Sequence, residues 1–144
     1  MQWFWLLVLI PLGLYFRKCW RQAQADALLL IESVMKNSKT NLGYEPDAAS
    51  LSFLAKHPFL CAKLWRMLGE GGANSMAGGS TSEECQNACD ELVKYVRNDE
   101  FRARCPCAAA LIQYAIYLCD NTPTKEYGCE HPKDEMNRTH DNTR

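Results

Sequence analysis

The chain has 144 residues and a net charge of −1. That length is room for one domain at most, with a marginal core. No lysine/arginine stripe with interleaved aromatics is present, which excludes nucleic acid as the main partner. Eight cysteines are many for this length. They signify disulfides in an oxidising compartment and thiols or metal ligands in a reducing one.

Trp3 to Phe16 is apolar and uncharged, and Arg17, Lys18 and Arg21 follow. As a helix the strictly apolar run covers roughly 21 Å, short of a ~30 Å hydrocarbon core. Snorkelling of Arg17 and Lys18 would extend it through Trp20. Trp3 and Trp5 suit one interface, and Tyr15, Phe16 and Trp20 the other. The expectation is a transmembrane anchor over residues 1–20 in contact with membrane lipid. Basic residues on its C-terminal side would hold the body in the cytoplasm. A cleaved signal peptide ending at Ala23-Gln24-Ala25 is the rival. Met1-Gln2 lacks the expected basic residue, and the charges lie after the apolar run.

Residues 20–37 continue as an amphipathic helix whose stripe includes Ala27, Ile31 and Val34. This stripe is the candidate interface for the rest of the domain, for a second copy or for a protein partner. Asn37 to Pro46 reads as a connection. Asp47 can cap a short helix to Lys56, and Pro58 starts another that ends near Gly69. His57 reads as a turn residue. Gly69 to Ser80 has linker composition, and without Gly-Lys-Ser/Thr after a strand it is no phosphate loop. A flexible linker is therefore expected near residues 69–81. Thr81 to Glu84 reads as a capping box opening a helix to about Asn98. Cys105-Pro106-Cys107 opens the last and most apolar helix, which ends at Cys119. The helical domain thus covers residues 21–119. Residues 120–144 are polar, broken by Pro123, Gly128 and Pro132, and read as a disordered tail. Asn137-Arg138-Thr139 matches a glycosylation acceptor, which matters only in a luminal setting.

The fold class read from the sequence is all-α: a membrane helix running into an amphipathic helix, a small bundle, and a loose tail. Cys85 and Cys89 share one helix face. If the next helix folds back as a hairpin, Cys119 comes level with them, while Cys105 and Cys107 stay beside the turn. Any disulfide should then join Cys119 to Cys85 or Cys89, with Cys105 and Cys107 pairing elsewhere or remaining thiols. Buried thiols and a four-thiolate zinc site are the other readings, the latter weakened by the unusual Cys-x-x-x-Cys and Cys-x-Cys spacing. The pattern is loosely similar to the stapled hairpins of mitochondrial intermembrane-space chaperones, but its second pair is spaced differently and the family is not assigned. No nucleophile–base pair is spaced for catalysis, so neither an enzyme nor a cofactor is expected. The functional expectation is a single-pass, membrane-anchored accessory or adaptor subunit, as of transport, secretion or conjugation machinery. An exported, disulfide-stapled interaction domain is the alternative, and a thiol- or metal-responsive module the weaker one.

Overall fold

The structure, a computed structural model, describes residues 2–77, 82–120 and 127–141. Among them every regular element is helical. The elements are α1 (Gln2–Asn37), a π-helical turn (Ser38–Leu42), α2 (Ala48–Lys56), α3 (Pro58–Ala77), α4 (Glu83–Arg97), α5 (Asp99–Arg104), α6 (Pro106–Cys119) and α7 (Pro132–Asp141).

The apolar composition of α6 determines the architecture. A helix that is apolar all round must be surrounded. Ala108, Leu111, Ile112, Ala115 and Ile116 are buried on every side of it. α3 and α4 pack along it, α2 and α5 cover its start, and the second half of α1 lies on α3. Leu30, Leu54, Leu64, Met67 and Leu92 complete one core.

One carboxylate–hydroxyl pair ends two helices. The Asp47 Oδ2 accepts from the Ser50 N–H at 2.9 Å, capping α2. The Ser50 hydroxyl donates to Asp47 Oδ1 at 2.7 Å and accepts from the Ala108 N–H at 3.0 Å. Asp47 Oδ1 also accepts from the Cys107 N–H at 3.3 Å. The orphan N–H groups of the first turn of α6, which has no side-chain cap of its own, are thereby satisfied by α2. His57 ends α2: its ring Nδ1 donates to the Phe53 carbonyl at 2.8 Å.

Two expectations are corrected. Gly69 to Ala77 is the end of α3, not a linker; residues 78–81 lie outside the described residues. The reason is Gly71, where a Cβ would stand 3.0 Å from Cys119 Sγ and from Leu118 Cβ. α3 and α6 touch backbone to side chain there, and only glycine permits it. The helix cap falls on Ser82, whose hydroxyl accepts from the Cys85 N–H at 3.4 Å; Thr81 lies outside the described residues.

The polar tail, read as disordered, carries α7 and docks through residues 127–141. The docking is polar, so a count of aliphatic residues missed it. Buried Gln113 donates from its amide to the Glu130 carbonyl at 2.8 Å and to Glu135 Oε2 at 2.6 Å. The Tyr127 hydroxyl donates to Asp90 Oδ1 at 2.6 Å, and Arg102 pairs with Glu135. Cys129 and Pro132 are buried beneath these contacts. The acceptor triplet Asn137 to Thr139 lies within α7.

Glu135 makes this docking pH-dependent. Burial pushes its pKa up, but the hydrogen bonds from Gln113 and Arg102 outweigh burial and leave it below the usual 4.5. A folded-state pKa that is depressed gives stability present above the unfolded value and lost as pH falls through the folded one. The protection factors of the α7 amides, which are exchange rates corrected for the intrinsic rate at each pH, should therefore fall as pH drops below about 4.5. In the E135Q protein that dependence should flatten.

Candidate functional site: an uncovered apolar half-helix and a buried thiol junction

α1 is one continuous helix, but its two halves differ in packing. In the second half Ala23, Ala27, Leu30 and Val34 are buried and Ile31 is half-buried against the core. The stripe of Ala27, Ile31 and Val34, expected as a candidate interface for the rest of the domain, a second copy or a partner, packs inside the domain at Ala27 and Val34, with Ile31 half-buried beside them. Its period follows the a/d-like spacing of a helix lying on a neighbour, and α3 is that neighbour.

The first half covers nothing and is covered by nothing among the described residues. Trp3 is 80 % exposed, Trp5 69 % and Leu7 71 %. Leu6, Val8, Leu9, Ile10, Leu12 and Leu14 are exposed on the other sides of the same helix. Contiguous exposed apolar surface of this extent is rare on a soluble monomer. Arg17, Lys18 and Arg21 stand exposed at its base and form no ion pair with a described residue. Trp20 turns back to the body, its ring 5.5 Å from that of Phe59.

The expectation of a full transmembrane span needs correction. No helix among the described residues is long and apolar enough to cross a membrane. Arg17 and Lys18 follow Phe16 directly and end the apolar run at roughly 21 Å, before it reaches the ~30 Å a span requires.

The second feature lies where α3, α4 and α6 meet. Cys119 Sγ donates to the Met67 carbonyl at 3.3 Å. Its neighbours across the junction are the thiols of Cys89 and Cys85. Cys85 in turn donates to Glu70 Oε2 at 3.1 Å, and Glu70 Oε1 accepts from the Ser82 N–H at 2.6 Å. Gln86 Nε2 donates to the Cys119 carbonyl at 2.7 Å. Cys105 and Cys107 lie at the opposite end of α6, beside α2. The structure therefore brings Cys85, Cys89 and Cys119 together and keeps Cys105 and Cys107 apart from them. No group of three or more histidine, cysteine, aspartate or glutamate residues among the described residues is arranged to hold a metal.

The junction is chemically quiet. Burial, then the Glu70 carboxylate, push the Cys85 thiol up to about 11. Burial does the same for Cys61 and, with Asp47, for Cys107, each at about 11. Cys119 is raised by its hydrogen bond with Cys89 and by burial. Glu70 is held below the ordinary glutamate value by the Ser82 N–H and the Cys85 thiol. The thiolate is the nucleophile, and a rise from 9.0 to about 11 removes roughly 99 % of it at a given pH. Cys19 is half-exposed on α1, while the other seven cysteines are buried. Iodoacetamide at pH 8 should therefore modify Cys19 first, and Cys61, Cys85 and Cys107 only on unfolding, as read by peptide mass mapping.

The sequence reading missed one more feature. The Asn37–Pro46 connection holds a π-helical turn, and with Gly69 and Gly72 of α3 it borders an open groove of about 400 Å³. The glycines were the available signal, but their composition also fits a linker. No family model, no curated protein and no solved structure matches this chain.

Proposed function

We propose that the protein is a membrane-attached, non-enzymatic helical module. The first half of α1 enters lipid and the body is presented at the cytoplasmic face as an accessory or adaptor subunit of a membrane-associated complex. One observation carries this reading: fourteen apolar residues, from Trp3 to Phe16, project from the body uncovered on all sides. Water is a poor environment for such a surface, whereas lipid accepts it. Apart from the Leu7 carbonyl, which Pro11 leaves without its helical donor, the interior of the helix can satisfy its own backbone groups, as the hydrocarbon region demands. Arg17, Lys18 and Arg21 then sit among the headgroups. The helix crosses fully only where those side chains snorkel or the bilayer thins.

The test is fractionation after alkaline carbonate washing, with reporters of known sidedness fused behind Arg144. The protein stays with the membranes and the cytoplasmic reporter is active. Full-length protein found in the soluble fraction contradicts the attachment. Activity of the exported-side reporter alone contradicts the orientation.

The thiol junction favours a second reading, an exported domain stapled by a disulfide. Peptide mapping without reduction decides between them: a Cys89–Cys119 or Cys85–Cys119 link supports the exported domain, and unmodified thiols support the cytoplasmic one.

A further inference from the structure

The acidic residues of the chain are unevenly placed. None occurs in residues 1–25, and none between Ala48 and Gly69. Those two stretches meet in the fold. α3 starts beside Trp20, whose ring is 5.5 Å from that of Phe59. Further on, Trp65 and Leu68 border the same groove as Leu30 and Val34, so α3 runs parallel to the second half of α1. The end of the body next to the first half of α1 is therefore built from segments that carry lysine and arginine but no carboxylate.

Arg17, Lys18 and Arg21 occupy that end, all exposed. Arg17 and Arg21 are four residues apart on one helix, a spacing at which like charges disfavour the helix. Nothing within the described chain offsets the repulsion: none of the three pairs with a described residue. Asp26, the first acid of α1, is half-buried and lies more than a turn beyond Arg21. Farther from this end the same two helices pair their cations, Lys36 with Glu32, Lys63 with Glu91 and Arg66 with Glu84. Two rings stand beside the unpaired charges, Trp20 at 47 % exposure and Phe59 at 54 %. Tryptophan beside basic residues, at the base of an apolar helix, is the composition found at the headgroup level of membranes.

We propose that this end of the body is a binding surface for anionic lipid. Arg17, Lys18 and Arg21 hold the phosphates of acidic headgroups, to which guanidinium groups donate paired hydrogen bonds. Trp20 and Phe59 lie at headgroup depth beside them. The inference rests on the entry of the first half of α1 into lipid, and it adds the class of lipid entered. A zwitterionic headgroup offers no net charge to complement three cations, whereas an acidic one does. Each lysine or arginine near an anionic surface favours it roughly fivefold, so three together favour it about a hundredfold.

The test dilutes full-length protein from detergent into an equal mixture of two vesicle populations that separate by density. One is phosphatidylcholine alone, and the other is equimolar phosphatidylcholine and phosphatidylglycerol. At low salt the anionic vesicles should hold about a hundredfold more protein. Potassium chloride at about 1 M should reduce that preference to a few fold, because it screens the headgroup charge. The R17Q/K18Q/R21Q protein should divide almost equally between the populations and keep the native melting temperature, since these side chains form no ion pair with the described body. Equal division of the unaltered protein, or a preference that survives in the triple variant or at high salt, overturns the proposal and leaves the attachment standing. Protein bound to neither population refutes the attachment itself. Equal division between vesicles, with the unaltered protein but not the triple variant retained on immobilised polyglutamate, would assign the cations to an acidic protein and also overturn the proposal.

Discussion

Aspartate at both Leu6 and Leu9 should release the protein from membranes if the first half of α1 makes the attachment. Each leucine is about half exposed in the structure, at 53 % and 55 %, and touches no part of the body. In lipid each contributes a few tenths of a kcal/mol to insertion, while an aspartate at helix centre opposes it by about 3 kcal/mol. Two substitutions therefore shift the partition by roughly 6–7 kcal/mol, more than four orders of magnitude. The body should be unaffected, because its core begins at Ala23. The expected result is a double variant in the soluble fraction after carbonate washing, with the melting temperature of the native protein. A double variant that remains membrane-bound means that another surface makes the attachment.

The neighbouring glycines of α3 respond oppositely to substitution. Valine at Gly71 brings a Cβ to 3.0 Å from Cys119 Sγ and 3.1 Å from the Leu118 carbonyl carbon, with two methyl groups beyond it. The backbone of α6 cannot move away without disturbing the Asp47–Ser50 cap at its other end and the thiol junction at this one. Overpacking of this kind costs about 3 kcal/mol. Alanine at Gly69 or Gly72 enters open space and removes a helix-interior glycine, so each should stabilise α3 by up to ~1 kcal/mol. Urea denaturation of the three variants should separate G71V from the other two by roughly 4 kcal/mol. Equal responses at the three positions would mean that α3 and α6 do not approach as described.

Local signals in the sequence located several elements. Asp47 sits three residues before Ser50 and caps α2 as that spacing implies. Pro58 and Pro106 each occupy the first helical position their fixed φ favours. The apolar run from Cys107 to Cys119 is buried because no face of it tolerates water. Helical spacing alone places Cys85 and Cys89 on one face, and a short α5 returns the chain so that Cys119 lies level with them. The features that escaped are those decided at a distance. Gly71 is helical because α6 needs its missing side chain, a fact carried by Leu118 and Cys119 and not by the glycine-rich composition around it. α7 forms on a polar surface because Gln113, buried in α6, needs the Glu130 carbonyl and the Glu135 carboxylate. Ile31 and Val34 could have faced a partner on periodicity alone; the choice of α3 is tertiary. The apolar run of α1 was legible residue by residue. Its insufficiency as a full span follows from the position of Arg17 and Lys18, which end it about six residues early at 1.5 Å each.

Whether the first half of α1 enters lipid is measured directly by the depth of Trp3 and Trp5. Replace Trp20 and Trp65 with phenylalanine, so that only Trp3 and Trp5 fluoresce. Reconstitute the full-length protein in vesicles whose lipids carry bromine at chosen depths along the acyl chain. Counting ~1.5 Å per residue from Arg17 at the headgroups places Trp5 roughly 18 Å in, near the bilayer midplane, and Trp3 just beyond it. Quenching should be strongest for bromine near the end of the acyl chain, together with a blue-shifted emission. Emission that stays unshifted and is quenched by aqueous iodide instead of bromolipid would contradict the account.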